Sequence, residues 1–137
     1  MTRYMLDTNI VSLLLRQHPA VTRNVVAAPM AALAISAITA GELLFGLARR
    51  PAAQRLHAAV REFLRRVEVL PWETATAARY GTMRAELERA GTVLAPLDLL
   101  IAAHALDRPA ILVTNDRAFG MVERLDIADW SSEATPH

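Results

Sequence analysis

Four acidic residues, Asp7, Glu42, Asp98 and Asp116, stand at positions from which their carboxylates can share one site. Carboxylates held together repel one another and raise their own pKa values. A hard divalent cation such as Mg²⁺ or Mn²⁺ removes that conflict, because it prefers oxygen ligands. Beside a phosphodiester, such a cation lowers the pKa of an attacking water and stabilises the leaving oxygen. The four acids therefore indicate metal-assisted hydrolysis of a phosphodiester.

Five short apolar runs predict the strands that position these acids. They cover residues 3–6, 33–36, 67–70, 110–114 and, more weakly, 125–128. Helical patterns alternate with them over residues 10–16, 20–28, 39–50, 52–66, 73–90 and 97–106. Alternation of this kind predicts a parallel sheet covered on both faces, which is a three-layer α/β/α domain.

In such a sheet, ligands bind beyond the carboxyl ends of the strands, where the strand order reverses. Asp7 directly follows the first strand, and Asp116 follows the fourth. The two side chains face one crevice if these strands are neighbours. We expect Glu42 in the first turn of the helix after the second strand. Asp98 is expected near the start of the apolar helix that leads into the fourth.

Each acid also has a purely structural interpretation. Asp7 is suited to cap the first helix, and Asp116 is suited to a turn. Glu42 could close a capping box with Thr39. Asp98 could be a helix cap, although its apolar neighbours favour pairing or metal binding for a carboxylate. No single position decides between the interpretations, but the common location of all four favours a site.

Residues that other chemistries need are missing. The chain has no cysteine, and all 15 of its cationic side chains are arginine, so sites that require a thiolate or a lysine are excluded. The four histidines show no zinc spacing. His104 is interpreted as a core residue, because its six-residue offset from Asp98 does not place the two on one helix face.

The net charge of +1 does not by itself predict a nucleic-acid-binding protein. A phosphodiester substrate approaching an acidic pocket needs cations elsewhere, and the candidates are Arg49, Arg50, Arg61, Arg65, Arg66 and Arg117. Most of these are expected on solvated helix faces.

The length predicts one domain over residues 1–130, followed by a loose C-terminal tail, 131–137. No membrane segment is expected, because Pro29 interrupts the most apolar stretch. A signal peptide is not expected either, because Asp7 and Asn9 break any apolar region at the N-terminus. These features fit a cytoplasmic protein.

Four segments together resemble the PIN-domain ribonucleases and, among them, the VapC toxins of bacterial toxin–antitoxin pairs. The segments are MLDTNI (5–10), SAITAGEL (36–43), PLDLLIAAHA (96–105) and LVTNDRAF (112–119), and the closing IADW (127–130) is also similar. Each segment alone is modest evidence. Their order and spacing cover nearly the whole chain, which makes the resemblance strong.

The resemblance places the catalytic acids of the family on Asp7, Glu42, Asp98 and Asp116. Of these, Asp7, Asp98 and Asp116 are expected to hold the cation, while Glu42 either binds it or orients the attacking water. The small polar residues near the site fall on Thr8, Asn9, Thr114 and Asn115.

The resemblance further implies a five-stranded parallel sheet, dependence on Mg²⁺ or Mn²⁺, homodimers and inhibition by a VapB-type antitoxin. The expected reaction is endonucleolytic hydrolysis of RNA, leaving a 5′-phosphate and a 3′-hydroxyl. By family analogy, a structured RNA such as tRNA or ribosomal RNA is the expected substrate.

Two alternatives remain at this point. A phosphatase of the haloacid-dehalogenase type needs a second aspartate where Asn9 stands, and also a lysine, so the sequence argues against it. A catalytically inactive PIN fold serving as an RNA-binding or scaffold module is harder to dismiss. Retained metal binding would discriminate between that module and the enzyme.

Overall fold

The first strand, Tyr4–Leu6 (β1), lies in the middle of a five-stranded parallel sheet in a computed structural model that describes residues 2–132. The other strands are Leu33–Ser36 (β2), Glu68–Leu70 (β3), Ile111–Val113 (β4) and Ile127–Ala128 (β5). Their order across the sheet is β3-β2-β1-β4-β5. The strand order therefore reverses between β1 and β4, where a ligand site is expected.

Six α-helices connect or cover these strands within residues 2–132. They are Thr8–Leu15 (α1), Pro19–Ala27 (α2), Ala37–Ala48 (α3), Gln54–Arg66 (α4), Thr74–Arg89 (α5) and Pro96–Asp107 (α6). Two short 3₁₀ helices, Met30–Ala32 and Arg117–Met121, were not predicted from the sequence.

Hydrophobic cores lie on both faces of the sheet because successive strand residues point to opposite sides. Met5 and Leu112 belong to the core that includes α5 and α6. Leu6 and Val113 belong to the core that includes α1 to α4. This burial on both faces explains why the central strands are almost continuously apolar, and it confirms the predicted three-layer α/β/α arrangement.

Local sequence signals explain where several helices begin and end. Asp7 caps α1, and its Oδ1 accepts a hydrogen bond of 2.9 Å from the Ile10 N–H. Ser36 caps α3, and its Oγ accepts one of 3.0 Å from the Ile38 N–H. Gly91 follows α5 with φ of +71°, a conformation that favours glycine after a helix.

The predicted helix boundaries differ from the structure by up to two residues. The most consequential difference is in α3, which begins at Ala37 rather than Thr39 because Ser36 provides the cap. No helix within residues 2–132 is long and apolar enough to cross a membrane. The predicted tail, 131–137, falls mostly outside the described residues and stays a prediction.

Candidate active site

The ends of β1 and β4 bring Asp7 and Asp116 to the same edge of the sheet. The two strands are paired in register, with Leu6 opposite Val113. The Asp7 N–H continues this pairing with a hydrogen bond of 3.0 Å to the Val113 carbonyl. From the sequence, Asp7 and Asp116 could be expected in one crevice only if the first and fourth strands were neighbours. The strand order shows that they are.

A cleft of about 380 Å³ opens at this edge. It is lined by Asp7, Thr8, Asn9, Ser12, Glu42, Asp98, Ile101, Asn115, Asp116 and Phe119. All four acids selected from the sequence are therefore in one cleft, together with three of the four supporting polar residues. The fourth, Thr114, is buried directly behind them.

Asp7 is only 5% exposed at the bottom of this arrangement. Burial raises the pKa of its carboxyl group, and the negative charges of Asp98 and Asp116 raise it further. Hydrogen bonds from the Thr114 hydroxyl and the Ile10 N–H act in the opposite direction, because they stabilise the charged form. Asp7 therefore caps α1 and also belongs to the cleft, so its two interpretations are compatible.

Asp98 is half-buried in the first turn of α6, where the helix dipole favours a negative charge. It is not a cap, since Ala95 occupies that position. Burial raises the pKa of Asp98, followed by the charges of Asp116 and Glu42. Among residues 2–132, nothing donates a hydrogen bond to this carboxylate. Its oxygens are therefore available to a ligand.

Glu42 lies in the second turn of α3, so the prediction of a first-turn position is wrong. The capping box with Thr39 is also absent, because the helix begins at Ala37. Instead, the Thr8 hydroxyl donates a hydrogen bond of 2.6 Å to Glu42 Oε1. The buried Thr39 hydroxyl lies 3.2 Å from the Thr8 oxygen. Glu42 is thus directed by two threonines from different helices.

Asp116 caps the 3₁₀ helix after β4, and its Oδ1 accepts a hydrogen bond of 2.9 Å from the Ala118 N–H. The Asp116 N–H donates to the Thr114 hydroxyl at 3.0 Å, and the same hydroxyl donates to Asp7. Thr114 therefore links the two acids. The ends of β1 and β4 are also joined by a hydrogen bond of 2.7 Å from Asn9 Nδ2 to Asn115 Oδ1.

His104 is fully buried outside the cleft, which confirms its interpretation as a core residue. Its Nδ1 lies 2.7 Å from Ser36 Oγ, and its ring packs edge-on against Trp72. Burial is the main reason that the pKa of His104 is lowered.

The donor chemistry of the cleft fits a divalent cation, since it offers several carboxylates that repel one another. Within residues 2–132, however, no three acidic or histidine side chains are arranged as a preformed metal cage. Three of the four acids use at least one oxygen in a hydrogen bond inside the protein. The four carboxylates thus lie in one cleft, but they are not arranged as the coordination sphere of a metal ion.

A comparison with protein families identifies the domain. A model of the PIN domain matches residues 4–125. The chain belongs to the PIN-domain family. One similar protein is a tRNA(fMet)-specific endonuclease VapC of Shigella flexneri, which is 37% identical over 96% of this chain and 100% of its own length. Another is ribonuclease VapC2 of Haemophilus influenzae (strain ATCC 51907), which is 34% identical over 95% of this chain and 99% of its own length.

Solved PIN-domain structures resemble this fold over nearly its whole length. The DNA-bound VapBC of Salmonella typhimurium aligns with a TM-score of 0.88 at 37% identity, over 95% of this chain and 99% of that one. The VapBC2 of Rickettsia felis, bound to a promoter DNA fragment, aligns with a TM-score of 0.85 at 32% identity, over 93% and 98%.

Sequence reasoning missed three residues that line this PIN-domain cleft and one, Thr39, that supports it from behind. Ile101 and Phe119 line it from the core, and nothing in the sequence distinguished them from other apolar residues. Ser12 could have been found, because it lies one helical turn after Thr8 on α1. Thr39 was considered only as a cap, although its hydroxyl supports Thr8.

Proposed function

We propose that this PIN-domain chain is a metal-dependent endoribonuclease and the toxin of a VapBC-type pair. The observation that carries the proposal is the convergence of Asp7, Glu42, Asp98 and Asp116 on one cleft. Mutual repulsion contributes to the raised pKa values of Asp7 and Asp98, so the cleft favours a cation. The similar proteins named VapC, which are called endonucleases or ribonucleases, support RNA as the substrate.

Asp7, Asp98 and Asp116 are assigned to holding Mg²⁺ or Mn²⁺, directly or through water. When bound, such a cation polarises the phosphodiester and lowers the pKa of the attacking water. Asp98 has both carboxylate oxygens free of hydrogen bonds within residues 2–132, which suits direct ligation. Asp7 and Asp116 are fixed by their capping bonds, so their orientation depends little on the ligand.

Glu42 is assigned to orienting and deprotonating the attacking water. The Thr8 hydroxyl occupies its Oε1, which leaves Oε2 as the acceptor for that water. Thr114 keeps Asp7 and Asp116 in fixed relation, and the Asn9–Asn115 hydrogen bond closes the edge of the cleft. These polar residues thus position the acids.

A cleavage assay tests this assignment. The purified chain is incubated with initiator tRNA and with ribosomal RNA in Mg²⁺, in Mn²⁺ and in EDTA. Initiator tRNA is included because two similar proteins are named as tRNA(fMet)-specific endonucleases. We expect discrete products with a 5′-phosphate in either metal and none in EDTA.

The matched variants are Asp98→Asn, which removes a cleft charge without breaking a cap, and Asp126→Asn, which changes an exposed aspartate elsewhere. Cleavage should be lost in the first and kept in the second. Cleavage by Asp98→Asn at the wild-type rate would contradict the metal assignment. A folded wild-type chain that binds RNA but cuts none in any metal would favour the inactive scaffold.

The antitoxin is assigned to an apolar groove of about 340 Å³ bordered by α1, α2 and α4. Its lining includes Leu14, Val25, Met30 and Phe63, and Met30 is 51% exposed. A partner helix with an apolar face would cover these side chains, and an arginine in its tail would be attracted to the acidic cleft. The similar solved structures of Rickettsia felis and Salmonella typhimurium are VapBC complexes, which supports this partner.

Substitution of Met30 tests this groove. Met30→Glu should weaken co-purification with the VapB-type protein encoded beside the toxin, whereas Val26→Glu should not. Val26 is 79% exposed but does not line the groove, so it controls for the added charge. Homodimer formation by the free chain is proposed by family analogy and is tested by light scattering.

A further inference from the structure

A second groove, of about 630 Å³, opens from the acidic cleft between α1, α3 and α4. It shares Thr8, Ser12 and Glu42 with the cleft, so the two are continuous. Three exposed arginines also line it: Arg16, Arg49 and Arg50. We call this surface the arginine groove.

Helix α3 forms one wall of the arginine groove, and the charge of its side chains changes from negative to positive along that wall. Glu42, Phe45, Gly46 and Arg49 follow at helical spacing and all line the arginine groove. Glu42 and Arg49 are separated by about 10 Å along the axis at about 1.5 Å per residue. The wall therefore runs from the acid at the reaction site, past an aromatic ring, to a cation.

Helix α1 shows the same order on the opposite wall. Thr8, Ser12 and Arg16 are four residues apart, which places them on one side of the helix. The hydroxyls lie at the acidic cleft and the arginine lies at the end of the helix. Both walls thus change from acidic or neutral to cationic as they leave the reaction site.

The arginines of this groove are not neutralised by the described part of the chain. Arg16, Arg49 and Arg50 form no ion pair with any residue in 2–132. By contrast, Arg65 and Arg66 on α4 both pair with Glu62. Of the arginines proposed from the sequence as phosphate contacts, Arg65 and Arg66 are already paired, whereas Arg49, Arg50, Arg61 and Arg117 form no ion pair within residues 2–132. Only Arg49 and Arg50 of these four line the groove.

Phe45 is 61% exposed in this groove, which is unusual for a phenylalanine on a domain surface. The Arg49 guanidinium lies 5.3 Å from the centre of its ring. An aromatic ring next to free cations is the combination with which proteins bind single-stranded nucleic acid, because bases stack on the ring while cations bind phosphates.

We propose that the arginine groove binds the unpaired RNA segment adjoining the scissile phosphate, with Arg49 and Arg50 on its phosphates and Phe45 stacked on a base. The proposal rests on the proposed nuclease function and specifies the form of its substrate. Recognition through backbone charge and stacking favours a loop or single strand over a continuous duplex. Arg16 contributes a further positive charge from the opposite wall.

Arginine at a helix C-terminus also stabilises the helix dipole, and Arg16 and Arg49 are the C-caps of α1 and α3. A purely structural role would therefore change stability but not RNA binding. The affinity for RNA, its salt dependence and the thermal midpoint of each variant separate the two roles.

The first test measures binding of a labelled single-stranded RNA of about 12 nucleotides in EDTA, at several salt concentrations. Arg49→Gln and Arg50→Gln should each weaken binding roughly tenfold and lower the magnitude of the salt slope by about 0.7. Phe45→Ala should weaken binding about 5- to 100-fold without changing that slope. Arg65→Gln, which removes a paired arginine outside the groove, should match wild type.

The second test fills the groove from Gly46. A Cβ added there meets no atom within 4 Å, so Gly46→Ala should fold. Gly46→Leu extends the same side chain into the groove, and its thermal midpoint checks that it folds. In Mn²⁺, Gly46→Leu should raise KM for the long RNA about tenfold or more, whereas Gly46→Ala should not. With a dinucleotide that reaches only the acidic cleft, Gly46→Leu and Gly46→Ala should cleave at the same rate, because the added side chain lies outside the cleft.

The outcomes separate this proposal from the nuclease itself. If wild type cuts no RNA in any metal, the proposed function fails, while the binding test in EDTA still decides the groove. If wild type cuts RNA but the groove variants match Arg65→Gln in affinity, KM and salt slope, the groove proposal is overturned. If the variants instead release the antitoxin and leave RNA binding unchanged, the groove holds a protein segment and the proposal is likewise overturned.

Discussion

The Thr8 hydroxyl and the Glu42 carboxylate form a hydrogen bond of 2.6 Å between the first residue of α1 and the second turn of α3. The two residues are 34 positions apart in the sequence, so this bond depends on the packing of the two helices beside the sheet. The Thr39 hydroxyl supports it from the α3 side. The orientation of Glu42 is therefore a property of the fold rather than of its own helix.

Removal of the Thr8 hydroxyl should slow cleavage while the protein stays folded. Thr8→Val keeps the shape of the side chain but leaves Glu42 without its donor. A hydrogen bond to a charged group contributes about 1.5–3 kcal/mol, so kcat/KM should fall about 10- to 100-fold. Thr8→Ser retains a hydroxyl and should recover most of the activity. Single-turnover cleavage measures both, and an unchanged rate in Thr8→Val would show that Glu42 needs no such anchor.

Neutralising a cleft carboxylate should stabilise the metal-free protein. The pKa of Asp98 in the folded protein lies above its ordinary value of 3.8. The contribution of Asp98 to the free energy of unfolding is therefore complete below pH 3.8 and is lost as the pH rises through that higher pKa. At neutral pH, Asp98→Asn should therefore raise the Tm in EDTA by about 2–6 °C. Asp126→Asn should leave it unchanged. A lower Tm in Asp98→Asn would mean that the charge is stabilised by a group inside the protein.

Added Mn²⁺ should raise the Tm of wild type, and more so as the pH rises, because protons compete with the cation for Asp7 and Asp98.

The charge of Asp116 contributes to the raised pKa of both Asp7 and Asp98. Asp116→Asn should therefore move both pKa values downward. Carbon NMR titration of the carboxyl groups in the metal-free protein measures this directly, and pKa values unaffected by Asp116→Asn would contradict the proposed coupling.

His104 should make the protein sensitive to mild acid. Its pKa is lowered in the folded state, chiefly by burial, so its contribution to stability is complete above pH 6.5 and declines below it. One proton corresponds to about 1.4 kcal/mol per pH unit. Between pH 6.5 and 5.5, the free energy of unfolding of wild type should therefore fall relative to that of His104→Gln, which lacks this titrating group. His57→Gln, which changes a histidine on the surface of α4, serves as control, and parallel pH profiles for wild type and His104→Gln would refute the prediction.

Much of this architecture follows from local signals. Short apolar runs marked all five strands, and Asp7 and Asp116 were placed at strand ends because each directly follows such a run. The fold was therefore predictable at the level of layers. The order of the strands depends on packing of distant segments, so the adjacency of β1 and β4 could be stated only as a condition.

The errors concern residues that can serve two local roles. Ser36 fits the end of a strand and also caps the next helix, and its capping moved the start of α3 by two residues. That shift placed Glu42 in the second turn and removed its capping box. The pairing of Glu62 with Arg65 and Arg66 was visible in the sequence as i,i+3 and i,i+4 spacing, but it was not used to sort the arginines.

The central position of β1 has a consequence during biosynthesis. Its partner β4 begins more than 100 residues later, so a growing chain cannot complete the sheet before those residues have been synthesised. At about 5–20 residues per second, Asp7 waits about 5–20 s for Thr114 and Asp116 to be made. A nascent or prematurely terminated chain that lacks β4 therefore lacks the assembled acidic cleft. The topology thus delays assembly of the cleft until β4 and the residues that follow it have been translated.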